Sequence, residues 1–106
     1  MKVAHNICYG GFTLSNKAVS ILNDMKHLKG KKKLHPHSYA YPNNNKGLYR
    51  HDPDLIKVIE QLGKQANGSH TRIQIREIDG VRYIIEEYDG METVLEPKDI
   101  HWITAL

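Results

Sequence analysis

The residues best equipped for chemistry lie in the first stretch of the chain, MKVAHNICYGGFTLSNKAVSIL. A strand-like apolar run from Lys2 to Tyr9 meets Gly10-Gly11, then Phe12, then a helix start at Thr13-Leu14-Ser15. Strand, glycine turn and helix N-terminus together can hold an anion with main-chain groups. The glycines let the backbone approach closely, and the free N–H groups and dipole of the helix end face negative charge. The lysine of a phosphate-binding loop is absent, and so is the third glycine of a dinucleotide fingerprint. The stretch therefore points to a nucleotide-like ligand. It reads equally as a tight turn with Phe12 plugged into the core, and both readings stand on the residues alone.

A pyrophosphate needs two or three N–H or guanidinium donors, and an adenine needs a stacking platform. Gly10, Gly11 and the Ser15 helix end offer the first, with Arg50 and Arg72 as charge partners. Tyr9, Phe12, Tyr88 and Trp102 are candidates for the second. Lys31-Lys32-Lys33 followed by His35, His37, Tyr39 and Tyr41 interleaves positive charge with rings, as nucleotide contacts require, although a solvated loop has the same composition. His35 and His37 lack a third ligand at defined spacing, so neither a metal nor a cofactor is expected. Cys8 sits near a helix start that can lower a thiol pKa, but no feature pairs it with a histidine, and a small buried cysteine is the simpler reading. Glu86 and Glu87 are strand neighbours and point to opposite faces, so they cannot share a proton. No motif argues for catalysis.

The elements that position these residues follow from periodicity. The first strand carries Val3, Ile7 and Tyr9 on one side. Ser15 or Thr13 caps a helix whose stripe is Ala18, Ile21, Leu22, Met25 and Leu28, closed by Gly30. Residues 30–49 lack any period and read as an irregular basic loop. Asp52 as N-cap and Pro53 at the first position start a second helix with the stripe Leu55, Ile56, Ile59, Leu62 and Ala66. From Thr71 the period is two. Asp79-Gly80 and Asp89-Gly90 both signal hairpins, which predicts a meander over about 71–78, 81–88 and 91–95. The expected architecture is one α+β domain over 1–106, two helices on one face of a small, mainly antiparallel four-stranded sheet, with the other face polar.

Composition bounds the function. The 106 residues suit one modest core, and a formal charge of +3 suits an anionic partner. A single cysteine excludes an intramolecular disulfide and favours a reducing interior. No apolar run approaches the roughly 20 residues of a membrane span and the start does not read as a signal peptide, so a cytosolic protein is expected.

Three stretches taken together, CYGGFTLS at 8–15, RHDPDLIKVIEQLGKQANG at 50–68 and IIEEYDGMETVLE at 84–96, resemble a family of small phage-encoded proteins. That family is built on a YGGF-LS start, an R-x-D-P-x-L-[IV] helix, an LG-x-x-A-[NG] helix end and an EEYDG hairpin. It is similar in turn to the anti-Thoeris "sponge" proteins of phages, which bind cyclic ADP-ribose-type immune signals without cleaving them. The resemblance implies a phage protein acting in the host cytoplasm, a homo-oligomer with pockets between protomers, and cyclic oligonucleotides as further ligands. The chain departs from the pattern in its short, basic central segment and its C-terminus. Binding and sequestering a nucleotide-derived signal is the leading expectation. The alternative is a protein-binding inhibitor or adaptor that docks on a host enzyme through the polar sheet face and the tail, and nucleic-acid binding through Lys31–Lys33 ranks third. The apolar tail, Ile100, Trp102, Ile103 and Leu106, needs cover from the chain's own core or from another subunit.

Overall fold

The computed structural model describes residues 1–34 and 49–105. In chain order the elements are β1 (Lys2–Asn6), α1 (Asn16–Met25), α2 (Pro53–Leu62), β2 (Ile73–Glu77), β3 (Ile84–Tyr88) and β4 (Met91–Leu95), with single 3₁₀ turns at Gly30–Lys32, Gly63–Ala66 and Pro97–Asp99. The α+β class holds. No described helix is long and apolar enough to cross a membrane.

Both helices start where their caps predict. The Ser15 hydroxyl accepts from Ala18 N, and Asp52 accepts from the amides of Asp54 and Leu55 beside Pro53. α1 stops at Met25 rather than running to Leu28. His27 takes a left-handed φ of 54°, and the Asn23 side chain binds both main-chain groups of Leu34. The left-handed His27 ends the helix before Gly30 is reached, and the Asn23–Leu34 pair folds the following chain back on α1. The two helices cover one face of β1 and β2, and Phe12, Leu14, Ala18, Leu22, Leu55, Val58 and Ile59 form the main core with Ala4, Ile73 and Ile75.

The sheet is where expectation and structure part. β1 pairs antiparallel with β2, from Lys2 opposite Glu77 to Asn6 opposite Ile73. β3 pairs with β4, from Ile84 opposite Leu95 to Tyr88 opposite Met91. Among the described residues there are two two-stranded ladders rather than one four-stranded sheet, and β2 does not meander into β3. Residues 78–83 instead carry the chain from the helix-covered layer to a second, small core of Val3, Ile78 and Val94 with Tyr83 and Ile85.

The two ladders are joined through side chains. The Arg50 guanidinium binds both oxygens of Glu92, at 2.5 and 2.9 Å. Glu92 also accepts from Asn6 N at 2.9 Å, while Arg50 O accepts from Ala4 N at 2.9 Å. The outer edge of β1 is thus satisfied by an inserted arginine and a carboxylate where a backbone ladder to β4 would otherwise run. His5 on the same strand meets the carbonyl of Glu92 through Nδ1, and burial pushes its pKa down.

Candidate functional site

The glycine turn after β1 is built from three packed loops. Asn6, fully buried, is the pin: its amide oxygen accepts from Cys8 N and Arg72 N, and its amide nitrogen donates to the carbonyls of Cys8 and Gly90. Thr71 donates its hydroxyl to Gly11 O, and the Thr71 hydroxyl oxygen in turn accepts from Thr13 N. Gly10 N donates to Asp89 O at 3.1 Å. The glycines are needed because the backbones touch: a Cβ on Gly90 would overlap the nitrogens of Gly10 and Gly11, and one on Gly10 would overlap His70.

This packing brings six of the nine sequence-predicted residues to one end of the molecule. Tyr9, Gly10, Gly11 and Ser15 come from the turn, Arg72 from the chain just before β2, and Tyr88 from the end of β3 next to the 89–90 turn. Tyr88 is 73% exposed; Tyr9 and Arg72 are also exposed. Beside them a cleft of about 590 Å³ opens at the start of α1, lined among others by Gly10, Ser15, Asn16, Asn67, Ser69 and His70. Its donors differ from those expected. The Gly10 amide is committed to Asp89 O and the Ser15 amide to Ala66 O, whereas the Asn16 and Lys17 amides of the first helical turn have no acceptor within the helix.

Two predicted residues move from the surface to the interior. Phe12 is fully buried, with the Arg50 guanidinium 3.8 Å above its ring. Arg50 itself is only 3% exposed. It does not stand in solvent, because Glu92 and Phe12 hold it inside. Trp102 stays on the surface, 79% exposed, but away from the glycine turn. It shares a shallow pocket of about 260 Å³ with Arg82, Tyr83, Ile84, Leu95, Pro97 and Ile100, at the opposite end of β3 from Tyr88. His35, His37, Tyr39 and Tyr41 lie outside the described residues.

Asn6, Thr71 and Glu92 escaped the sequence reading. The period of β4 did hold a signal, since Glu92 shares its face with buried Val94 and a carboxylate there demands a cation. Tyr49, His51, Arg82 and Tyr83 were also missed; they meet across a groove at the start of α2. Among the described residues no three His, Cys, Asp or Glu side chains come together as a metal site. Comparison with protein-family models, with curated proteins and with solved structures returns no match to this chain.

Proposed function

We propose that this chain is a non-catalytic phage anti-defence protein that binds and sequesters a nucleotide-derived immune signal of the cyclic ADP-ribose type in the host cytoplasm. The observation that carries the reading is the cleft at the first turn of α1, lined by Gly10, Ser15, Asn16 and His70, at the end of the molecule where Tyr9, Arg72 and Tyr88 are exposed. Arg72 and the Asn16 and Lys17 amides supply donors for a pyrophosphate; the two tyrosines supply faces for an adenine. The residue pattern that resembles the sponge proteins supports it independently. The reading includes a homo-oligomer, supported by Ile103 and Trp102, which are 96% and 79% exposed, Trp102 sharing a pocket with the exposed Ile84 of the hairpin.

Isothermal titration with cyclic ADP-ribose isomers and cyclic di- and trinucleotides tests it, with light scattering of the same samples giving the mass of the binding species. Heat from at least one of them is expected, with Arg72→Ala and Tyr88→Ala each weakening binding by about tenfold or more. No heat from any ligand at micromolar protein removes the proposal. The same apolar hairpin and tail surface supports a second reading, docking on a host protein; a stoichiometric host partner in a pull-down, together with silent titrations, would favour it.

A further inference from the structure

A second recess lies at the other end of α1. α2 begins beside the last turn of α1, since Lys26 Nζ reaches the carboxylates of Asp52 and Asp54 at 2.8 and 3.1 Å. The ten residues of α1 therefore separate this recess from the Gly10 turn, a length of about 15 Å. The recess is a groove of about 470 Å³ between residues 49–51 and the start of β3, lined by Tyr49, His51, Val81, Arg82, Tyr83, Ile84 and Ile85.

Its aromatic wall is held in place from below. Arg50 is fastened in the core by Glu92 and Phe12, which fixes the backbone between Tyr49 and His51, and Asp52 N closes the turn on Tyr49 O at 3.0 Å. Tyr49 and His51 then lie nearly parallel, with ring centroids 5.4 Å apart and planes at 17°. Tyr83 meets His51 edge-on at 5.7 Å, and its hydroxyl and His51 Nδ1 are 2.7 Å apart. Three rings are therefore fixed relative to one another before any ligand arrives. Tyr49 keeps 51% of its surface exposed. Arg82 is an exposed cation on the opposite wall, and Val81 and Ile84 add apolar surface.

We infer that this groove is a seat for a purine nucleotide, whose planar base stacks on the Tyr49–His51 wall while its phosphate pairs with Arg82. A fixed stack offering a free face suits a flat heteroaromatic ring, because such a ring covers area without ordering any side chain of its own. Among the described residues Arg82 is the one guanidinium at the rim, which suits one anionic group. An aliphatic ligand would leave the ring faces poorly covered. The seat is distinct from the cleft at the Gly10 turn, and neither requires the other.

Trp102 reports on it directly, since its pocket shares Arg82, Tyr83 and Ile84 with the groove and it is the chain's only tryptophan. AMP titrated into the full chain is expected to give a saturable change in Trp102 emission, and ribose 5-phosphate none. Tyr49→Ala should weaken AMP by about tenfold or more, the scale of one lost base–aromatic stack. Arg82→Ala should weaken AMP while leaving adenosine unchanged, a split that a merely structural role would not produce. A short oligoadenylate separates the two sources of the base: equal affinity per site assigns the free nucleotide, and tighter, Tyr49-dependent binding assigns a strand. Tyr49→Ala that keeps its far-UV spectrum and its full AMP affinity would overturn the proposal. So would the absence of any saturable response to AMP. Tyr49→Ala leaves the cyclic ADP-ribose titration untouched and Tyr88→Ala leaves the AMP titration untouched, so failure at one site is not failure at the other.

Discussion

Asp79-Gly80 and Asp89-Gly90 are the same dipeptide ten positions apart, and only the second turns a hairpin. Asp89 and Gly90 take φ values of 50° and 87°, the pair of positive angles that a type I′ turn demands. Neither Asp79 nor Gly80 is left-handed, and β2 pairs with β1 instead of β3. The local chemistry permits a tight turn in both places. What differs is where the flanking strands must send their apolar faces. Ile73 and Ile75 belong under the helices, whereas Tyr83 and Ile85 belong to the small core with Val94. A two-residue turn would place both strands in one layer, so the chain spends residues 78–83 changing layers. The second pair closes because its own strands share a face and because the Gly10 turn is packed against it.

Substitutions can break that contrast in graded steps. Glu92→Ala has the largest expected effect. It leaves the Arg50 guanidinium buried without its partner and removes the acceptor of Asn6 N, so urea unfolding should show a loss of about 3–5 kcal/mol. Gly90→Ala comes next. It must hold a left-handed φ against the backbone of Gly10 and Gly11, at a cost of at least about 2 kcal/mol. Gly80→Ala is the control. Nothing lies within reach of the added methyl group, and its effect should stay within about 0.5 kcal/mol in either direction. Equal losses for the two glycine variants would mean that the loop packing at Gly90 contributes nothing to stability.

The parts legible in the sequence were those written locally. The Ser15 and Asp52-Pro53 starts, the apolar stripes and the β3–β4 hairpin each depend on neighbours a few residues apart. The α+β class followed from them. The β1–β2 pairing was not legible, because it joins residues about 70 positions apart with no local mark. The same holds for Arg50. Beside a basic loop it reads as a surface charge, and only the approach of Glu92, 42 residues later, makes it a buried hub. The candidate site divides along this line too. Tyr9, Gly10, Gly11, Ser15, Arg72 and Tyr88, the residues the sequence singles out, gather at one end, but the glycines pack backbone on backbone, and the Gly10 amide goes to Asp89 rather than facing the cleft. Phe12 sits in the core, as one of the two readings of that turn had it.

The central claim is that the protein holds a nucleotide signal and returns it intact. The direct measurement is mass spectrometry of small molecules released by heat from purified protein that has been incubated with lysate of cells whose immune signalling is active. An intact cyclic ADP-ribose-type nucleotide in the eluate, lost with Arg72→Ala, is the result this account predicts. A cleaved product, or an eluate with no nucleotide at all, would contradict it.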